Sequence, residues 1–504
     1  MVFNNPHLYR KGLSEMNLIP SKPGISPNYY CTWATQGNVA KKAGKVENNN
    51  HILFEGDQGA KWNRNYLNDE ILFGEDGFAL QYENAREDLY FLLDDGWDVP
   101  YNVHPDTQLH EFGSLLLNED RFPSCSGEPE ERLYKMNNRL QALGWRGLGI
   151  WIAAQAQGER ESRTLSDNEF VEYWTKRLIW CRNAGVNYWK VDWGLHLDSV
   201  DFRHGLTKLG REHHPQLLIE HARCMGPIND KNNRFNFDDI ARDIFSISDV
   251  FRSYDVTRHL RIATTMDRLS ALLLAKKQSP GIINVEDEVY IGAALGCSFG
   301  VMRSRFHSNN LTEVVRAVKW QKVAPAFAEG TAHISDDIAT DSWYFQSGDT
   351  WASYLIGHEV KQCSPIVISR NMPSPQFYDI KTKPPFIVTA KNPNGAVSIA
   401  TLPRTSTGSI ETPLCGIELN VGNSESPIGI FGYYGSLTLC FDQPIGSKKI
   451  HAQDLAKSEA QDISNLVAIN ENRVTIHGDL IAKISSNEQG DTSRPGLILS
   501  VRRT

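Results

Sequence analysis

From about residue 28 to about residue 305, short apolar runs alternate with longer segments whose apolar residues recur at helical spacing. That alternation is the pattern of repeated βα units around a parallel sheet. One stretch carries it plainly. Pro129 opens a segment whose Leu133, Met136, Leu140 and Leu143 share one helix face, and Gly144 is placed to end it. Gly147 to Ala153 is then a continuous apolar run of strand length, suited to burial on both faces. Ser166-Asp-Asn-Glu169 forms a capping box ahead of Phe170, Trp174 and Leu178, with Gly185 as the stop, and a strand from Val186 to Asp192 follows. The same reading along the chain gives eight strands, at 28–33, 88–93, 147–153, 186–192, 217–221, 246–252, 281–285 and 297–302. Eight such strands predict an α/β fold, a (β/α)8 TIM barrel, with its active site at the C-terminal strand ends. The runs lead into Trp33, Asp94-Asp95, Gln155, Asp192, Glu220 and Asp255.

After about residue 343 the texture changes to short alternating segments between Gly, Pro and Asn turns, such as 396–401, 428–434 and 497–501. This predicts a C-terminal antiparallel β-sandwich domain, with the barrel at 1–342 and the sandwich at 343–504. No low-complexity linker separates them, so close packing is expected.

Composition narrows the function. With 22% charged residues and a net charge of -8, the chain is not a nucleic-acid binder by its charge. No run of about 18 apolar residues predicts a membrane span. The N-terminal Met-Val-Phe-Asn-Asn-Pro lacks the basic and apolar regions of a signal peptide. A soluble protein is expected, and removal of a signal peptide leaves a secreted or periplasmic location open. The eight cysteines stand singly with no C-x-x-C pair, which argues against a zinc site and a dense disulfide framework and for buried thiols.

The chemistry is carried by acids at strand ends. In a strand, Lys190 points to the same side as Asp192, and a cation there keeps a carboxylate ionised, as a nucleophile requires. The alternative is a solvated ion pair. Asp94-Asp95-Gly, taken alone, also reads as a surface turn, but its place after an apolar strand favours a site.

Tyr188-Trp-Lys-Val-Asp-Trp-Gly194 resembles the Tyr-x-Lys-x-Asp signature of the α-galactosidase clan, glycoside hydrolase families 27 and 36. Leu93-Asp-Asp-Gly-Trp97, Arg121-Phe-Pro, Leu143-Gly-Trp-Arg-Gly-Leu-Gly-Ile-Trp151, Val285-Glu-Asp-Glu-Val-Tyr-Ile-Gly292 and Lys391-Asn-Pro-Asn-Gly-Ala-Val-Ser-Ile-Ala-Thr401 resemble further stretches of the clan, in the same order. The resemblance implies a glycosidase acting on a carbohydrate, with Asp192 as nucleophile, Lys190 beside the sugar, and Asp94 and Asp95 binding sugar hydroxyls. It places Glu220 where the family has a substrate-contacting Glu, the alternative being an ion pair with Arg223. Val250-Phe-Arg-Ser-Tyr-Asp-Val-Thr257 resembles the acid/base region, with Arg252 as the preceding Arg and Asp255 as acid/base. Asp249 is the outside candidate. The register departs from family 27, in which the Arg lies four residues before the Asp rather than three. Trp33 and Trp97 would offer the sugar an apolar face or else pack in the core.

Family 27 also commonly bridges a Cys two residues after the nucleophile to one after the third strand, whereas this chain has Gly194 and Gln155 there. The chain therefore looks like an outlying relative. A terminal α-D-galactosyl substrate is expected, with β-L-arabinopyranoside and α-N-acetylgalactosaminide as alternatives in the clan. For a retaining mechanism the two carboxyl groups should stand about 5–5.5 Å apart. No organic cofactor or metal is implied. Two rivals remain open: a Mg2+-dependent lyase or isomerase built on the same acids, and a catalytically silent carbohydrate-binding protein.

Overall fold

A computed structural model describes residues 16–44, 62–223, 238–253, 259–275, 281–302, 311–347, 349, 353–380, 383–485 and 491–502. Eight parallel strands form the first sheet: β1 (Tyr29–Cys31), β2 (Tyr90–Leu93), β3 (Gly147–Ile152), β4 (Tyr188–Val191), β5 (Leu218–His221), β6 (Val250–Arg252), β7 (Ile282–Asn284) and β8 (Gly300–Val301). Each lies within its expected run. Their order is β7-β6-β5-β4-β3-β2-β1-β8. A parallel bridge between Asn284 and Ser298, with Val285 N donating to Ser298 O at 2.9 Å, joins the two ends and closes the barrel.

A helix follows every strand: α1 (Trp33–Lys42), α2 (Pro129–Ala142), α3 (Asp167–Ala184), α4 (Val200–His213), α5 (Asp239–Ile247), α6 (Arg261–Ala275), α7 (Val289–Leu295) and α8 (Leu311–Val323). The capping box at Ser166 and Glu169 is formed, and Gly185 ends α3 in the left-handed conformation at φ 74°.

Side-chain alternation divides the barrel into two cores. Tyr30, Phe91, Ile150, Trp189, Ile219, Phe251 and Ile283 belong to the large core that also takes in the helices. Their neighbours Tyr29, Cys31, Tyr90, Leu92, Trp151, Tyr188 and Val250 form a second cluster inside the barrel. The inward row therefore ends, at the mouth, in Asp94, Asp192 and Glu286.

The β-rich remainder has an eight-stranded sheet running from 461–462 to 332–334 and a five-stranded sheet running from 376–378 to 468–470. Most neighbours are antiparallel, but 367–370 with 386–391, 397–402 with 428–431, and 416–422 with 436–441 are parallel pairs. The strand at 332–334 already pairs with 367–370, and the strand Ile338–Tyr344 runs across the position where the sequence texture changes. Sandwich strands thus begin ahead of residue 343. The sandwich is joined to the barrel by buried contacts: Arg316 of α8 binds Asp454 through Nε and Nη2 at 2.8 and 2.9 Å, and Ser398 Oγ donates to Ala294 O at 3.0 Å.

Candidate active site

Asp192 follows β4 directly, and Arg203 of α4 fixes its backbone by donating to the Asp192 and Val191 carbonyls at 2.8 and 3.0 Å. Its Oδ2 accepts from Trp151 Nε1 at 3.1 Å and forms an ion pair with Arg252, whose Nη2 lies 3.6 Å away. Sequence reasoning assigned the neighbouring cation to Lys190, and this is corrected. Lys190, level with Trp151 of β3, reaches instead to Asp94, with Nζ 2.8 Å from Oδ2. Burial and Arg252 work against the Lys190 charge, yet Asp94, Cys31 and Glu286 hold its pKa well above the ordinary lysine value. Lys190 is therefore cationic. Arg252, at the end of β6, is the cation facing Asp192.

Arg252 is itself held by Glu286, whose two oxygens lie 3.0 and 2.9 Å from Nη1. Glu286 was missed, although it follows the seventh apolar run just as Asp94 follows the second. Glu220 is fully enclosed: Tyr188 donates to Oε2 at 2.7 Å and the Tyr29 hydroxyl stands 3.2 Å from Oε1. Burial raises its pKa against the opposing effects of Arg252, Tyr188, Lys190 and Tyr29. The alternative ion pair with Arg223 does not form, since Arg223 binds Asp198 and Asp238. Period-two spacing along Tyr188, Lys190 and Asp192 was a signal that could have found Tyr188.

Asp94 accepts from Lys190 and from the Cys31 thiol at 3.0 Å, and Asp95 is bound by Arg64 through Nε at 2.8 Å and Nη2 at 2.6 Å. Burial raises the Asp95 pKa, with Arg64 opposing and Asp94 and Asp192 adding to the rise. Trp97 is fully enclosed and donates to the Trp151 carbonyl at 2.8 Å, so of its two readings it takes core packing. Trp33 is half-buried at the start of α1. Trp193, not singled out from sequence, is half-buried and packs on Trp151 with ring centroids 5.2 Å apart.

Asp255 lies outside the described residues, as does its separation from Asp192. The chain on either side is anchored: Arg268 donates to Ser253 O at 2.9 Å and Thr405 Oγ1 to His259 O at 2.7 Å. The outside candidate Asp249 sits at the opposite, N-terminal end of β6, where it accepts from Ile219 N at 3.1 Å and pairs with Arg211. It is thus remote from the acids at the C-terminal strand ends.

Gly194 explains the missing cysteine. At φ +147° a Cβ would stand 2.7 Å from Ala154 N, so no side chain fits. Hydrogen bonds join the two loops instead: Ala154 N to Trp193 O at 2.8 Å, His196 N to Ala154 O at 2.9 Å and Leu195 N to Gln155 Oε1 at 3.0 Å. Gly194→Ala is expected to cost about 2–4 kcal/mol of stability through clash and backbone strain. A thermal midpoint equal to that of the native chain would contradict this packing.

Asp98 gives a pH prediction. Burial pushes its carboxyl up to about 7, against the Leu115 N–H it accepts at 3.2 Å and with Asp95 adding to the rise. A carboxyl raised above its unfolded value of about 3.9 binds its proton more tightly in the folded state. Its contribution to stability therefore declines between about pH 4 and pH 7. Asp98→Asn should remove that decline and exceed the native chain in stability at pH 8 by about 2–4 kcal/mol, with little difference at pH 4. Urea unfolding at both pH values reads the difference, and a gap independent of pH would refute it.

Among the described residues no group of three or more His, Cys, Asp or Glu side chains is arranged to hold a metal ion, and no helix is long and apolar enough to cross a membrane. Cys31, Cys125, Cys181, Cys297 and Cys415 are buried free thiols.

The fold and site define a (β/α)8 barrel with a cluster of buried acids at the C-terminal ends of its strands. No family profile and no curated protein matches the chain. Among solved structures it is similar to a family 27 β-L-arabinopyranosidase from Geobacillus stearothermophilus, at 10% identity and a TM-score of 0.41, covering 95% of this chain and 97% of that one. It is also similar to α-galactosidase I of Mortierella vinacea (10% identity, TM-score 0.41, 95% and 98% covered). A putative α-N-acetylgalactosaminidase of Bacillus halodurans gives 9% identity and a TM-score of 0.43, with 97% and 100% covered. At these values the likenesses carry no activity over to this chain.

Proposed function

We propose that the protein is a retaining, exo-acting glycoside hydrolase that removes terminal α-D-galactosyl-type residues, with Asp192 as nucleophile and Asp255 as acid/base. The observation that carries this reading is the setting of Asp192. It stands at the mouth end of β4, its Oδ2 facing the Trp151 indole and the Arg252 guanidinium, while Asp94 and Asp95 beside it are bound to Lys190 and Arg64. A double displacement needs one ionised carboxylate against the anomeric carbon and one protonated carboxyl against the leaving oxygen. Asp192 attacks to form a glycosyl ester as Asp255 protonates the departing oxygen. Asp255 then takes a proton from the water that cleaves the ester.

Asp94 and Asp95 offer strong acceptors to sugar hydroxyls, and an axial hydroxyl held in this way selects galactose over glucose rings. A clamp of this kind suits a chain end. β-L-Arabinopyranoside presents the same ring without its C6 group, and what packs around C5 decides between the two. The test is release of nitrophenol from α-D-galactoside, β-L-arabinopyranoside, α-N-acetylgalactosaminide and α-glucoside. Turnover of the α-galactoside, unaffected by a chelator, is the expected result. Turnover lost with the chelator would favour the metal-dependent rival, and no turnover of any of the four would favour a silent binding protein.

A further inference from the structure

Arg64 lies in the long connection between β1 and β2, in no motif, yet it is carried to the end of β2. Three contacts hold it there. Gln36 Nε2 bridges the Asn63 and Asp95 carbonyls at 3.2 and 3.1 Å, Arg121 Nη1 donates to Arg64 O at 2.6 Å, and Gly96, at φ +116°, allows the Arg64 backbone to approach. The guanidinium uses its Nε and Nη2 edge on Asp95. Its carbon lies 5.2 Å from the Phe112 ring centroid and 5.4 Å from that of Trp193. Trp193 follows Asp192 in sequence and packs on the Trp151 whose indole binds Asp192, so Arg64 and the proposed nucleophile share one aromatic wall.

The group is buried, with 3% of its side chain exposed, and among the described residues Nη1 has no hydrogen-bond partner. A buried charged donor left unmatched is costly, and sites that bind polar ligands are where such donors persist. The surroundings select the ligand's charge. Asp95 already neutralises Arg64, and Asp94, Asp98 and Asp192 are near, so an anionic substituent meets repulsion while a neutral oxygen does not.

We propose that Arg64 is a specificity-determining residue whose Nη1 donates to one hydroxyl oxygen of the bound sugar, next to the Asp95 carboxylate that accepts from the ring. This rests on the glycosidase reading. Arg and Asp together form a fixed donor–acceptor pair, which discriminates by leaving both partners unmatched when the hydroxyl is absent.

The test compares the native protein with Arg64→Lys, which keeps the charge and loses the fork. The substrates are the nitrophenyl α-galactoside and its 2-, 3-, 4- and 6-deoxy analogues, with thermal unfolding of both proteins to establish folding. On the parent sugar, Arg64→Lys should lower kcat/KM by about 10- to 100-fold. On one deoxy analogue, the native protein and the variant should converge. An equal loss on the parent and on every analogue overturns the assignment and leaves Arg64 a support for Asp95. If the native protein cleaves none of these, the hydrolase reading fails on that result alone, and the same comparison is made by calorimetric binding of galactose and its deoxy analogues. Convergence on one analogue then supports the assignment, and uniform or absent binding overturns it.

Discussion

Asp192→Asn is expected to abolish glycoside hydrolysis, with kcat falling on the order of ten-thousand-fold or more, while the sugar still binds. Asn retains an oxygen for the Trp151 indole and occupies nearly the same volume, so the stability change should be small. The Arg203 contacts to the Asp192 and Val191 carbonyls do not involve the side chain. Loss of turnover with retained binding therefore separates chemistry from architecture. Stopped-assay kinetics together with calorimetric titration of galactose read the two quantities. A variant retaining a tenth of the native rate would remove Asp192 from the chemical step.

Glu286→Gln is the second large effect. Glu286 binds Arg252 through both oxygens and stands 4.0 Å from Lys190, all with side chains 4% exposed or less. Removing one charge from such a buried pair leaves the other uncompensated, which costs about 3–5 kcal/mol. The consequence extends to the mouth of the barrel. Without Glu286, the carboxylate that the Arg252 guanidinium already faces is Asp192, 3.6 Å away. A tighter pair there would occupy the nucleophile and lower kcat further than the change in stability explains. Urea unfolding measures the first effect and kcat at saturating substrate the second. Unchanged values of both would show that Arg252 does not depend on Glu286.

The barrel was legible because burial on both faces gives each parallel strand a continuous apolar run, and all eight runs contain a strand. The strand-end rule then singled out Asp94, Asp95, Asp192 and Glu220, which lie at the C-terminal ends of β2, β4 and β5, while Arg252 came from the likeness to the acid/base region. What it could not supply was pairing across the lumen. Lys190 and Asp192 share a side of β4, but which charge from another strand each of them meets depends on barrel stagger: Lys190 turned to Asp94 and Asp192 to Arg252. Arg64 was illegible for a related reason: it comes from a connection with no strand pattern, and it is brought to Asp95 by Gln36, by Arg121 and by the close approach at Gly96. The parallel pairs within the sandwich escaped as well, since alternation along a strand records which face is buried and carries no record of the neighbour's direction.

In the proposed double displacement Asp192 becomes covalently attached to the sugar. Incubation with a fluorinated galactosyl fluoride, which slows breakdown of a glycosyl ester, followed by peptide mass mapping tests it directly. A single adduct on the peptide containing Asp192, absent from Asp192→Asn, is the predicted result. Turnover of an α-galactoside with no adduct, or an adduct on another carboxyl group, would contradict it.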